Sequence, residues 1–360
     1  MVMLGDGRDR HEGTLPRLDA VPSRYDASRD DLAALLDGEP AFRVRQVWAG
    51  LHARLASPSE MTELPGALRE RLEVELPRAL TQSAESIGDR GDTTKWLWSL
   101  ADGTLVETVL MHYRDRSTAC VSTQAGCAMG CGFCATGQAG FDRNLTSGEI
   151  VEQVVHAART AREHGRRLSN VVFMGMGEPL ANYDRVWAAV RRLHDDVGIS
   201  ARHLTLSTVG IVPGIRRLAT EDLPVNLAVS LHAANDRLRD ELVPINRRYP
   251  LGVLLDACEQ YLQAKGRRLS FEWALIAGVN DRDRDALELA GLARSLHAHV
   301  NLIPLNPTAD YDTPGSSMTR VREFRDLLTS LGANATIRQN RGTAIDAACG
   351  QLRATAVTLG

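Results

Sequence analysis

A chain of 360 residues with 44% apolar and 24% charged residues can bury a large core and has the composition of an ordinary soluble globular protein. Its apolar runs are strand-sized, well short of the ~20 residues of a membrane helix, which excludes a helical membrane protein. A net charge of -3 gives no case for a nucleic-acid partner, and six cysteines make no disulfide framework.

Residues 1–30 are polar and punctuated by Pro and Gly, with no apolar core of a secretory signal, and are predicted to form a disordered tail. Residues 31–92 are predicted to form a small all-α accessory domain, with helices over 31–36, 42–55 and 67–75. Leu68, Leu72 and Leu76 recur there at helical spacing, with Pro65 just ahead. Residues 93–117 read as a β-hairpin connector, in which 95–99 and 105–110 flank the turn Ala101-Asp102-Gly103. From 118 to 332 the pattern alternates between β and α. Candidate strands are 119–122, 170–174, 203–206, 226–230, 270–275 and 300–303, and helices are expected over 183–193, 251–263, 285–296 and 320–331. Thr146-Ser147-Gly148-Glu149 is a capping box opening another helix, with Ile150, Val151, Val154 and Val155 on its apolar face. Residues 333–360 hold a further strand at 336–339 and then Cys349. Strands alternating with helices imply a parallel sheet, doubly wound or curled into a partial barrel, with chemistry at the carboxyl ends of its strands.

The first of those strand ends runs into Cys127-Ala128-Met129-Gly130-Cys131-Gly132-Phe133-Cys134. Three thiolates on one loop can hold three irons of a [4Fe-4S] cube and leave the fourth open to a small molecule. A structural zinc site would need a fourth ligand, and no second Cys or Cys/His pair with metal spacing is present. Later strand ends carry Gly175-Met176-Gly177-Glu178-Pro179, Ser207-Thr208-Val209-Gly210, Ser230-Leu231-His232 and Asn306-Pro307. Taken singly, each could be an ordinary turn; as a set they put polar groups around one rim. Only Lys95 and Lys265 are lysines, so the basic residues are nearly all Arg, several in doublets such as Arg216-Arg217 and Arg267-Arg268. Arg suits phosphate, but a coding bias toward Arg and solvated helix ends is the plainer reading of the doublets.

The cysteine triplet followed by GEP after the next strand resembles the radical S-adenosylmethionine superfamily. The longer strings Gln124–Cys127, Phe133–Gly137, Arg143–Thr146, Phe173–Pro179 and Ile345–Leu352 narrow the resemblance to the RlmN/Cfr family of RNA adenine methyltransferases. That resemblance spans most of the chain. It implies a partial (β/α)6 barrel behind a small helical domain, with Cys127, Cys131 and Cys134 holding the [4Fe-4S] cluster. It implies S-adenosylmethionine contacts at Gly177, Glu178, Ser207, Ser230, Leu231, His232 and Asn306. It further implies that Cys349 accepts a methyl group, that Cys120 resolves the protein–RNA adduct and that Glu107 accepts a proton. Without it, Cys120 and Cys349 would pass for core thiols, as Cys258 does.

Adenine C2 is an electron-poor amidine carbon, and it does not attack the methyl of S-adenosylmethionine directly. The family consumes two S-adenosylmethionine molecules per turnover: one methylates the cysteine thiolate, the other yields the radical that activates that S-methyl group. The expected outcome is 2-methyladenosine in 23S rRNA and in tRNA near the anticodon, with a transient Cys120–Cys349 disulfide. Methylation of the same rRNA adenosine at C8 is the sister activity. A glycyl-radical activase and a zinc-bearing RNA-binding module are readings of other classes. A cytoplasmic monomer served by a flavodoxin-type electron donor completes the expectation.

Overall fold

A computed structural model describes residues 23–308 and 310–354 of the chain. The predicted tail lies outside the described residues as far as residue 22, but its last part is not a tail. Arg24 is buried and donates through Nη2 to Glu73 at 2.9 Å. Asp26 accepts from the Gly148 amide at 2.6 Å and the Thr146 hydroxyl at 2.9 Å, at the amino end of a helix over Ser147–Glu163. A carboxylate is stabilised at such an end by free N–H groups and the helix dipole. Gly148 makes the approach possible, since a Cβ there would meet the Asp26 carboxyl carbon at 2.4 Å. The polarity that reads as disorder is capping chemistry.

Helices α1 (Arg29–Leu35), α2 (Phe42–His52) and α3 (Gly66–Glu75) bury Leu32, Val47, Leu51, Leu68 and Leu72 against one another. Each such side chain contributes roughly 1.5–3 kcal/mol on burial. Ser28 and Asp31 form the capping box that starts α1. The expected all-α domain ends sooner than residue 92, because β1 (Thr81–Gly88) pairs antiparallel with β2 (Thr93–Ser99), which pairs with β3 (Leu105–His112). The connector is therefore a three-stranded meander rather than a hairpin. β1 is mostly exposed on an edge and lacks the apolar alternation that betrays a half-buried strand.

The meander does not stand apart. β3 pairs antiparallel with β4 (Ser117–Cys120), which starts the parallel part of one ten-stranded sheet. A two-stranded ribbon, β5 (Gln124–Gly126) and β6 (Phe141–Asn144), brackets the cysteine loop and the short helix α4 (Ala135–Gln138). Then follow α5 (Ser147–Glu163), β7 (Leu168–Phe173), α6 (Tyr183–Asp195), β8 (Leu204–Thr208), α7 (Val212–Thr220) and β9 (Asn226–Ser230). The chain continues with α8 (Asp236–Leu242), α9 (Leu251–Lys265), β10 (Leu269–Leu275), α10 (Asp283–Ser295), β11 (His299–Pro304), α11 (Met318–Ser330) and β12 (Asn334–Ile337). Helices α7 and α8 were not foreseen, and β12 starts two residues earlier than expected.

Strands β4, β7, β8, β9, β10, β11 and β12 lie side by side, each parallel to the next. Side chains from β4, such as Thr118, and from β12, such as Thr336, border the same groove of about 1800 Å³. The sheet therefore curls into an open barrel, the partial-barrel alternative of the two. Along β10, Phe271, Trp273 and Leu275 are fully buried under the helices, while the alternate residues Ser270, Glu272 and Ala274 turn to the lumen side.

Candidate active site

The cysteine loop is shaped by its own backbone. The Cys127 amide donates to Gly140 O at 2.6 Å across the ribbon, and the Cys134 amide donates to Cys131 O at 3.1 Å. Gln138 Nε2 reaches Gly132 O at 2.7 Å. A Cβ at Gly137 would sit 2.9 Å from Cys131 O, so only glycine lets α4 press on the loop. Cys127, Cys131 and Cys134 all border one cleft of about 980 Å³ at the carboxyl ends of the strands. Burial, with the neighbouring acidic groups adding to it, pushes the Cys127 thiol up to about 12 and raises Cys131 as well. Among the described residues, no three His, Cys, Asp or Glu side chains converge to hold one metal ion. Three thiols on one wall suit a polynuclear cluster, in which each binds a different iron.

The same cleft is bordered by Gly177, Glu178, Ser207, Ser230 and His232, from the ends of β7, β8 and β9. Glu178 is buried and accepts from the Leu180 amide at 3.0 Å and the Val209 amide at 2.9 Å, tying the β7 and β8 loops together. Burial raises its carboxyl to about 7. Gly177 holds φ +100, and a Cβ there would meet Gln124 Cβ at 2.5 Å. His232 sits in the left-handed region at φ 60 and is buried. Its Nδ1 accepts from the Ala274 amide at 3.0 Å, which places the proton on Nε2, and burial drops its pKa to about 3. The neutral ring packs edge-on against Phe133 of the cysteine loop, centroids 4.8 Å apart.

Two of the expected contacts stand back from the cleft. Leu231 is fully buried; its amide donates to Glu272 O at 3.0 Å and its carbonyl accepts from Arg239. Asn306 Nδ2 donates to Cys349 O at 3.1 Å, and its Oδ1 accepts from Asn340 at 2.7 Å. The sequence reading passed over Arg239, the fully buried pin of this rim. Its guanidinium donates to the carbonyls of Val209 at 2.6 Å, Leu231 at 3.1 Å and Ser230 at 3.3 Å, and to Asn246 Oδ1 at 2.8 Å.

Cys349 borders the same cleft and also a smaller cavity of about 570 Å³ behind it. Cys120, at the end of β4, borders that smaller cavity too. The structure thus brings together two thiols from opposite edges of the barrel. Burial raises both, Cys120 to about 12, while the Arg338 guanidinium acts in the opposite sense. The Cys349 segment is strapped down: the Ala135 amide donates to Gly350 O at 2.8 Å and the Thr136 hydroxyl to Leu352 O at 2.6 Å. Glu107 belongs to that strap and borders neither cavity. It pairs with Lys95 at 2.9 Å and accepts from the amides of Arg353 at 2.9 Å and Ala354 at 3.2 Å. Sequence reasoning also missed Arg338 and Glu272, both of which border the main cleft. The available signals were a charged residue closing β12 and a lone carboxylate within an apolar strand.

Residues 121–290 match the Radical SAM superfamily. The chain is 52% identical over 345 residues to a probable dual-specificity RNA methyltransferase RlmN of Chloroflexus aurantiacus, covering 91% of this chain and 92% of that protein. The chain belongs to the RlmN family. The Frankia alni member with the same description is 53% identical, covering 98% of this chain and 88% of its own length. A radical SAM methyltransferase from Sphaerobacter thermophilus, known by crystal structure, superposes with a TM-score of 0.89 at 52% identity. It covers 92% of this chain and 99% of its own. The RlmN family brings the [4Fe-4S] cluster and S-adenosylmethionine with it, and the thiol loop and rim described above fit both. No helix among the described residues is long and apolar enough to cross a membrane.

Proposed function

We propose that this RlmN-family enzyme methylates C2 of adenosine in 23S rRNA and in tRNA near the anticodon, through an S-methyl group carried on Cys349. The observation that carries this reading is the placement of Cys349, which faces the strand-end cleft on one side and Cys120 on the other. A radical SAM enzyme that activates another protein needs the cluster loop and the GEP turn, but has no use for two further thiols at one cavity.

Cys127, Cys131 and Cys134 would hold the cluster, which would supply the electron needed to cleave S-adenosylmethionine. Glu178 accepts from the amino group of that molecule; Gly177 lets it approach the backbone; Ser207, Ser230 and the Nε2–H of His232 offer polar partners along it. Leu231 and Asn306 contribute by holding the rim and the Cys349 carbonyl. The Cys349 thiolate first displaces S-adenosylhomocysteine from a methyl group, forming the new C–S bond. Arg338 beside it stabilises the anion. After the methylene carbon has joined the base, Cys120 attacks the Cys349 sulfur. The S–S bond forms as the bond from the Cys349 sulfur to the methylene carbon breaks, and that carbon takes up a proton to become the methyl group of the product. An external reductant, together with a flavodoxin-type electron donor, resets the enzyme for the next turnover. Glu107 can accept the C2 proton only once the amides of residues 353–354 release its Oε2, so the strap must open during turnover.

The test is methylation of unmodified rRNA by the reconstituted, reduced protein, with the product nucleoside identified by mass spectrometry against standards. 2-Methyladenosine is expected; 8-methyladenosine would place the chain in the sister activity.

A further inference from the structure

Two oppositely charged side chains, the buried Glu272 and the half-buried Arg338, border the cleft without pairing. Glu272, in mid β10, is 3% exposed. Its Oε1 accepts from Asn301 Nδ2 at 2.8 Å and from the Ser270 hydroxyl at 3.0 Å, which fixes the carboxylate plane. Its Oε2 is buried with no hydrogen-bond partner among the described residues. Arg338 follows β12 and is anchored by its amide on Leu302 O at 2.8 Å. Its guanidinium reaches nothing better than the Met174 thioether sulfur at 3.9 Å. No carboxylate lies within 4.0 Å of it among the described residues. Glu272, Arg338 and Met174 border both the main cleft and the lumen groove that opens toward the other end of the barrel.

Burying a free acceptor costs stability unless something completes it, and here a guanidinium with donors to spare borders the same cleft. The completing ligand must donate to a carboxylate and accept from a guanidinium, side by side. The Hoogsteen edge of adenine does that, with its N6 amino group as donor and N7 as acceptor. We propose that Glu272 and Arg338 read the N6 and N7 edge of the target adenine. This rests on the adenosine-C2 reading and deepens it. A base gripped along N6 and N7 buries C8, which adjoins N7, and leaves C2, on the opposite side of the ring, free of the grip. The pair sets both base identity and the position methylated.

The experiment uses the reconstituted protein and an rRNA fragment with a single target site, carrying adenosine, purine riboside (no N6 amino group) or 7-deazaadenosine (no N7). The wild type should lose roughly tenfold or more in kcat/KM with either analogue. Equal rates on adenosine and purine riboside overturn the proposal whatever any variant does. In Glu272→Gln the amide oxygen keeps the Asn301 and Ser270 contacts and turns an NH2 group into the cleft. It should lose about as much on adenosine and nothing further on purine riboside, whereas independent, multiplying losses contradict it. S-adenosylhomocysteine affinity should be unchanged in Glu272→Gln. A matching loss there assigns the pair to the cofactor and overturns the proposal. A wild-type product methylated at C8 instead sinks the underlying functional reading, and is recognisable as such.

Discussion

Cys127, Cys131 and Cys134 lie within eight consecutive residues, and hydrogen bonds inside that loop and its ribbon place them. Cys120 and Cys349 share a cavity only because the sheet curls and a C-terminal segment is strapped back across it. One set depends on local geometry, the other on the whole topology. The difference teaches where each will fail. The loop should tolerate damage elsewhere and lose its cluster only through its own ligands, whereas the thiol pair should be separable from the cluster without disturbing it.

The largest effects break that comparison directly. Cys134→Ala should lose the cluster's iron and visible absorbance, with RNA methylation down on the order of a thousandfold or more. Cys349→Ala should lose methylation to the same extent yet keep full iron content. Iron loss in Cys349→Ala would show that the two regions are one unit. Arg239→Met comes next. It strands three loop carbonyls and Asn246 Oδ1 beneath the rim, and should cost about 2–4 kcal/mol in urea-induced unfolding. An unchanged midpoint would mean the rim does not need its pin.

Glu178 gives a pH signature confined to the cluster side. Burial raises its carboxyl to about 7, so below that pH it is protonated and offers the cofactor no charge. S-adenosylmethionine affinity should fall up to about tenfold per pH unit below 7 and level off above it. Glu178→Gln should flatten the profile, while an unaltered slope in that variant would assign the titration elsewhere. The smallest effect is Cys258→Ala. That thiol is fully buried in α9, away from both cavities, and its loss should cost about 1 kcal/mol by thermal unfolding with methylation unchanged. Loss of activity there would mean the thiols are not divided in this way.

What could be seen in the chain follows the same divide. The cluster loop is legible because its ligands are neighbours, and the rim because polar residues directly follow apolar strands. Glu178, Ser207, Ser230 and His232 do border the cleft. Leu231 and Asn306 follow strands in the same way, yet they are spent on Arg239, Glu272 O and Cys349 O, contacts set by tertiary packing that no local pattern announces. β1 escaped because an exposed edge strand has no buried face to impose a period of two. Residues 23–28 escaped because capping groups and disordered tails draw on the same polar residues. Glu107 was legible only by family likeness, and sequence does not show that its carboxylate is taken up by Lys95 and the amides of residues 353–354. Glu272 and Arg338 gain meaning only once the barrel sets an unpaired acceptor near an unpaired donor.

The central claim is that the triplet serves the cofactor while Cys349 carries the methyl group. Incubating reconstituted, reduced protein with methyl-labelled S-adenosylmethionine in the absence of RNA, and then sequencing its peptides by mass spectrometry, tests it most directly. The account predicts one label on the Cys349 peptide, passed to RNA added afterwards; RNA methylated by a protein whose Cys349 stays unlabelled would contradict it.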